Sequence, residues 1–251
     1  MARLHEERIA AGIGFDWSTL PPGHESMAGV PEDAVELRLH RERSSHRGVG
    51  RLQSLERLWA YSVNQSFLDE ICELRSLQLL YIERLGVADP SSLARLRKLR
   101  TLIIIGGTKV ESLDWAAELI GLRALALENF SRVRSLEPLA RLKGLRTLAV
   151  EGSMWTPMRV ESLRPLSSLT GLEYLFLTNL RSKDRSLQAL HSLTGLKVLQ
   201  CSSYFAKGEM ERLRDALPNT RCPWFEMLAE YGSIDAGVKA AVARMTGESD
   251  G

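Results

Sequence analysis

Two stretches of the chain, LARLRKLRTLII at residues 93–104 and LARLKGLRTLAV at residues 139–150, repeat one arrangement of leucines. In each stretch leucine recurs at every third position, and the spacing of apolar residues then shortens to two. A spacing of three is typical of tight helical or extended turns, whereas a spacing of two places alternate side chains on one face of a strand. Each repeat is therefore predicted to be a turn followed by a short strand.

Six further stretches align with these two on a pair of apolar positions two residues apart. The first members of successive pairs lie 21, 22, 22, 23, 23, 27 and 24 residues apart. Such regular spacing predicts parallel neighbouring strands whose inward side chains stack into one continuous core, since no single repeat could bury that face alone. The aligned pairs are Leu37/Leu39, Leu58/Ala60, Leu80/Ile82, Leu102/Ile104, Leu125/Leu127, Leu148/Val150, Leu175/Leu177 and Leu199/Cys201.

Over roughly residues 35–222 this pattern resembles the leucine-rich-repeat family, and its short-repeat bacterial, internalin-like class in particular. The resemblance implies an α/β solenoid, a curved right-handed superhelix with a parallel β-sheet on its concave side and short turns or helices on its convex side. The general handedness of parallel crossover connections agrees with this expectation. A fold of this kind does not by itself fix a function.

The chain departs from the family pattern in the turn after each strand, where the family has Asn or Cys. Without an asparagine ladder, the backbone groups of these turns need other partners, namely the backbone, water, or the neighbouring Asn129 and Asn179. We therefore expect less regular turns than the family's. The residues at this position are Glu42, Val63, Leu85, Gly107, Phe130, Ser153, Leu180 and Tyr204.

The predicted organisation has four parts, because the ends of a solenoid expose apolar edges that must be covered. Residues 1–34, with Phe15 and Trp17, are expected to form an N-terminal cap, and residues 35–204 to form about eight repeats. Residues 205–232 are expected to hold a degenerate last repeat and a C-terminal cap closed by Trp224 and Phe225. A terminal helix and a frayed tail are expected at residues 233–251.

Composition excludes several classes of protein. With 44% hydrophobic and 25% charged residues the chain is unlike a disordered one, and a net charge of +2 gives no global field for nucleic acid. No stretch is typical of a secretory signal or a membrane span. Three cysteines, matching no zinc or redox motif, favour a reducing cytoplasmic location.

The side chains between the inward strand positions must point outward from the concave sheet. The central column runs Arg38, Trp59, Tyr81, Ile103, Ala126, Ala149, Phe176 and Gln200. Tyrosine and tryptophan dominate binding hot spots, so the interpretation is a protein or peptide site. Two alternatives are that a terminal segment folds across the sheet, or that β-propensity alone selected these residues. The candidate contact residues here are Trp59, Tyr61, Tyr81, Ile103, Tyr174 and Phe176.

Two charged columns flank the aromatic one. Arg100, Arg123, Arg146 and Lys197 precede their strands, and Glu83, Glu128 and Glu151 follow the central column. Opposed stripes could orient a partner of complementary charge. The alternative is a solvated face that keeps the protein soluble. The acidic column makes nucleic-acid binding by the basic one an unfavoured hypothesis.

The longest interval between repeats contains the sequence GSMWTPM at residues 152–158. Insertions in solenoids usually fall on the loops of one face, so Trp155 is a candidate contact residue. Equally, Trp155 could pack on its own repeat.

Nothing in the sequence predicts catalysis, a metal site or a cofactor. The five histidines fit no nucleophile–base motif, and Gly106 and Gly107 lack the rest of a phosphate-binding loop. The favoured hypothesis is a non-catalytic adaptor or scaffold that binds another protein through the concave face. One alternative is an inhibitor or immunity-type protein whose Glu83, Glu128 and Glu151 mimic an anionic substrate. A remote one is an enzyme using His40, Tyr61 and Glu83.

Overall fold

The structure is a computed structural model, and it describes residues 2–246. Its main feature is a nine-stranded parallel sheet in which each strand pairs with the next strand of the array along the chain. A separate two-stranded parallel sheet is formed by β8 (Met158–Val160) and β10 (Leu180–Ser182). The nine strands are β1 (Gly23–His24), β2 (Glu36–His40), β3 (Arg57–Val63), β4 (Leu79–Leu85), β5 (Thr101–Ile105), β6 (Ala124–Glu128), β7 (Thr147–Glu151), β9 (Tyr174–Leu177) and β11 (Val198–Cys201).

The register of the sheet is the one that the leucine alignment predicts. Leu37 pairs with Leu58, Leu58 with Leu80, and the series continues to Leu175 and Leu199. These first-position leucines are almost completely buried and belong to one hydrophobic core that runs the length of the array. Burial of one leucine side chain contributes about 1.5–3 kcal/mol, so the repeated column makes a large contribution to the stability of the fold. The α/β leucine-rich-repeat solenoid fold is confirmed.

The opposite side of each repeat carries a short helix. One is the α-helix α2 (Gln65–Ile71), which begins where the Asn64 side chain accepts a hydrogen bond from the amide of Phe67. In the other repeats the spacing of three gives 3₁₀ helices, because residues three apart eclipse one another in that conformation. These are Val49–Arg51, Ser91–Arg95, Asp114–Glu118, Glu137–Arg141, Arg164–Ser168 and Gln188–Ser192.

Two features of the turns after the strands replace the asparagine ladder, which would otherwise satisfy the backbone groups there. A residue with a left-handed backbone precedes the family's asparagine position in several repeats, including Ser62, Arg84, Gly106, Asn129 and Asn179. Their amides and those of neighbouring residues bond mostly to the next repeat, as where the Gly106 amide donates to the Glu128 carbonyl at 2.9 Å. At the asparagine position itself, apolar side chains replace the ladder and are buried in a column: Val63, Leu85, Phe130 and Leu180.

The two ends of the array differ from a simple pair of caps. Residues 23–34 add β1 to the sheet and pack Met27, Val30 and Ala34 against the core, whereas residues 2–20 leave that end and lie across the concave face. The second group begins with α1 (Ala2–Ala10). At the other end stand α3 (Glu209–Ala216), α4 (Pro223–Tyr231) and α5 (Ile234–Thr246).

Phe225 is buried in the core, and the indole nitrogen of Trp224 donates to the Cys201 carbonyl at 2.7 Å. The frayed tail expected after the terminal helix lies outside the described residues. Among the helices of residues 2–246, none is both long and apolar enough to cross a membrane.

Gly107 lies against the Phe130 ring of the apolar turn column. A Cβ atom at this position would lie 2.4 Å from the Phe130 ring, closer than real carbon atoms approach. We expect Gly107→Ala to lower the free energy of unfolding by about 1–3 kcal/mol, as overpacking does in close-packed cores. Urea denaturation measures this, with Gly195→Ala as the matched control because its nearest neighbour would lie 3.7 Å away. Equal stability of the two variants would contradict this account of the turn column.

Candidate functional site

The aromatic column of the concave face is buried. Trp59 is 4% exposed, and Tyr61, Tyr81, Ile103 and Phe176 are also buried. They form a second hydrophobic cluster, separate from the core, together with Ala11 and Ile13 of the N-terminal segment. The column points outward from the sheet but is covered by the chain itself, so the alternative that a terminal segment folds across the sheet is confirmed. The role of these residues in binding stays a prediction.

The acidic column lies beside this cluster and is only partly accessible. Glu83 is half-buried and accepts the Tyr81 hydroxyl at 3.2 Å, while burial raises the pKa of Tyr81 and keeps that hydroxyl protonated. Glu151 is buried and pairs with Arg8 at 2.7 Å. The column is therefore not the open anionic surface that substrate mimicry requires.

Glu128 of β6 is the register partner of Glu151 of β7, so the two residues are neighbours on adjacent strands. The environment of Glu128 is nevertheless different. Burial, and then repulsion by Glu151, raise the pKa of the Glu128 carboxyl, against the lowering effect of Arg8. Among residues 2–246, the Glu128 carboxylate has no hydrogen-bond or ion-pair partner. The single guanidinium of Arg8 therefore offsets part of the charge of both adjacent carboxylates.

The basic column satisfies the turns of the solenoid. Arg100, Arg123 and Arg146 each donate to a carbonyl of the following repeat, at Gly121, Gly144 and Gly171 respectively, over 2.9–3.4 Å. Lys197 pairs with Glu173 at 2.5 Å. The three arginine side chains cap backbone groups, which accounts for their regular spacing without a ligand.

His40 and Tyr61 come together at the first end of the concave face. Their rings stack with centroids 4.0 Å apart, and both line a groove of about 380 Å³ with Arg41 and Arg84. Burial lowers the pKa of His40. In residues 2–246, however, no hydrogen bond joins His40 to Tyr61 or Glu83, and Glu83 is engaged by Tyr81 instead. The nucleophile–base contact that the enzyme hypothesis needs is missing from this part of the chain.

The loop at residues 152–157, called the Trp155 loop below, projects into solvent. Trp155 is 87% exposed and Met154 is 82% exposed. The loop is nevertheless held in place, because the Ser153 amide donates to the Thr156 carbonyl at 2.9 Å and the Asn179 amide group donates to the Ser153 carbonyl at 2.8 Å. Of the two positions open for Trp155, the exposed one is observed.

The small sheet next to this loop holds residues that the sequence interpretation missed. Arg159 of β8 stands directly opposite Arg181 of β10, and the Arg181 guanidinium lies 3.9 Å from the ring centroid of Tyr204, which is exposed. Like charges in directly opposed strand positions are unfavourable. The available signal was the 27-residue interval, whose extra residues build β8.

Glu128 supports a prediction about stability and pH. Its raised pKa means that the folded chain disfavours the ionised form, so the penalty is present at neutral pH and disappears as the pH falls to the ordinary value of 4.5. We expect Glu128→Gln to raise the free energy of unfolding at pH 7 and to make no difference below pH 4.5. Urea titrations at several pH values measure this, with Glu32→Gln as an exposed control. A loss of stability in Glu128→Gln at pH 7 would refute this account.

Comparison with known proteins bears on the fold and the family. The chain is similar to internalin C2 of Listeria monocytogenes, at 23% identity and a TM-score of 0.50, over 64% of this chain and 70% of that one. It is similar to internalin F of the same organism at 16% identity and a TM-score of 0.49, over 74% of this chain and 66% of that one. The likeness to internalin C2 concerns the fold alone. No curated protein matches the sequence.

A match to a family model identifies the family of the chain. The model of the leucine-rich repeat region matches residues 32–239, which is most of the chain. The matched range begins just before β2 and reaches into α5, so it contains the whole array of inward leucines. The chain belongs to the leucine-rich-repeat family.

Proposed function

We propose that this chain is a non-catalytic protein-binding module whose contact surface is centred on the Trp155 loop. Membership in the leucine-rich-repeat family favours a protein–protein interaction module as the general function. The single observation that supports this particular surface is the exposure of Trp155 and Met154 on a hydrogen-bonded loop. Adjacent large apolar side chains that are exposed on an ordered loop form an apolar patch, and such patches are typical of interfaces.

The neighbouring loops enlarge the proposed surface. The Asn179 carbonyl accepts the Met158 amide at 3.0 Å, and the Asn179 amide donates to the Ser202 hydroxyl at 2.7 Å. Asn179 thus links the Trp155 loop to the loop that carries Tyr204, so the three successive loops form one ordered edge. Tryptophan, tyrosine and arginine are the residue types most enriched in binding hot spots.

The charge of this edge indicates the chemistry of the partner. Arg134, Arg159, Arg181 and Lys183 line a shallow groove of about 280 Å³ in which Glu161 is the one acidic residue. Lys183 is paired with Glu161 at 3.2 Å, whereas Arg159 and Arg181 face each other across the small sheet. A partner that brings carboxylates to this groove would relieve that repulsion.

Truncation of the exposed indole tests the proposal. Partners are captured on immobilised full chain from a lysate of the source organism, and the purified partner is then titrated calorimetrically. We expect Trp155→Ala to weaken binding at least tenfold, since hot-spot truncations cost about 2 kcal/mol or more. Arg181→Ala should also weaken binding, and more so at low salt.

The matched control is Ile120→Ala, which removes a 68% exposed apolar side chain from the turn before β6. It should leave the affinity unchanged, and thermal unfolding should be the same in all three variants. If every partner binds Trp155→Ala as tightly as the wild-type chain, the proposed surface is wrong.

A further inference from the structure

The N-terminal segment, residues 2–20, lies on the concave sheet without being a strand of it. The order of the nine-stranded sheet contains no member from this segment. One backbone atom of the segment, the Ala11 carbonyl, accepts a hydrogen bond from a sheet side chain, that of Thr147 at 2.6 Å. The remaining described contacts between segment and sheet are made by side chains, as in a ligand seated in a groove.

An aromatic contact holds the C-terminal half of the segment. The Phe15 ring lies 5.5 Å from Trp59 and 5.6 Å from Tyr81, edge to face in both cases. Trp17 contacts Tyr81 in the same way at 6.1 Å. Such edge-to-face pairs stabilise a contact beyond the burial of their area. The groove therefore has a defined aromatic subsite.

A charged contact holds the N-terminal half. The Arg8 guanidinium pairs with Glu151 at 2.7 Å and lies 5.4 Å from the ring centroid of Phe176. Glu7 fixes the same part of α1. Its carboxylate accepts a hydrogen bond from the Gln200 side chain at 2.6 Å and forms an ion pair with Arg221 at 2.8 Å. The groove therefore also has an acidic subsite, which binds a basic side chain.

The segment does not satisfy the groove completely. Among residues 2–246 the Glu128 carboxylate is without a partner, and the indole nitrogen of Trp59 is buried without an acceptor. On the outer side of α1, Leu4 and Ile9 are more than a third exposed, so little of the chain covers the segment. A segment joined to its own groove gains from high effective concentration, and an imperfect fit is enough to keep it there.

We propose that the concave face is a peptide-binding groove, that residues 2–20 occupy it as an intramolecular ligand, and that a partner protein displaces them. The partner segment has the same chemistry: a basic side chain for Glu151 and Glu128, and an aromatic side chain seven positions further on for Trp59 and Tyr81. The seven-residue separation is that of Arg8 and Phe15. This groove is distinct from the Trp155 loop, so either surface can exist without the other.

The test uses the full chain and a fluorescein-labelled synthetic peptide of residues 2–20. The double variant Arg8→Ala/Phe15→Ala weakens the built-in segment but leaves every groove residue in place. We expect the peptide to bind this variant at least tenfold more tightly than it binds the wild-type chain, measured by fluorescence anisotropy. A peptide of the same composition in scrambled order should not bind.

Two further variants locate the peptide. Adding Glu151→Lys to the double variant should abolish binding, because it reverses the charge of the acidic subsite. Adding Trp155→Ala should leave binding unchanged, which separates this proposal from the proposed function. A double variant that unfolds cooperatively yet does not bind the peptide, or a peptide that binds all chains equally, would overturn the proposal.

Hydrogen exchange on the wild-type chain gives a second reading that needs no variant. If the segment is a displaceable ligand, the amides of α1 should exchange at least tenfold faster than those of β5, β6 and β7, through local opening. Protection of α1 equal to that of the central strands would make the segment an inseparable part of the core. That result would also overturn the proposal.

Discussion

The stacking of inward leucines on the next repeat is the interaction on which the rest of the structure depends. A single strand of five residues with a 3₁₀ turn cannot bury its own apolar face, so each repeat is stable only because the neighbouring repeats cover it. This requirement fixes the register of all the strands from Leu37 to Leu199. It also fixes where each outward side chain must stand, and thereby positions both the concave column and the loops after the strands.

The features that follow from this periodicity could be predicted from the sequence. The pairing of Leu102 with Leu125, or of Leu148 with Leu175 across the 27-residue interval, follows from aligning two apolar positions. The exposure of Trp155 could be proposed but not decided, because an inserted loop has no periodic neighbour to fix it. The small sheet of β8 and β10 could not be predicted for a different reason: strands of three residues carry too few alternations to be recognised.

From the sequence alone, the burial of the concave column is only one of two alternatives. Trp59 and Tyr81 alternate correctly for outward positions, and periodicity says nothing about what covers an outward side chain. The cover comes from residues more than forty positions earlier, and it depends on individual matches such as Phe15 with Trp59 and Arg8 with Glu151. Interactions of that kind are set by tertiary structure, and a pattern within one repeat cannot reveal them. The sequence does predict that Phe15 and Trp17 act as apolar cover, but it places them over the end of the array and not over the concave face.

The two candidate surfaces differ in accessibility, since the Trp155 loop is exposed and the concave face is covered. This difference constrains how a partner can bind at each of them. The Trp155 loop is exposed and ordered, so a partner can reach it without any rearrangement and its association rate is limited mainly by orientation. The concave groove already holds a ligand, so a partner there must wait for, or drive, the release of residues 2–20. A segment held by side chains at two subsites can open without breaking the sheet, because the strands remain paired with each other on both sides. The leucine core therefore remains intact while one face changes its accessibility.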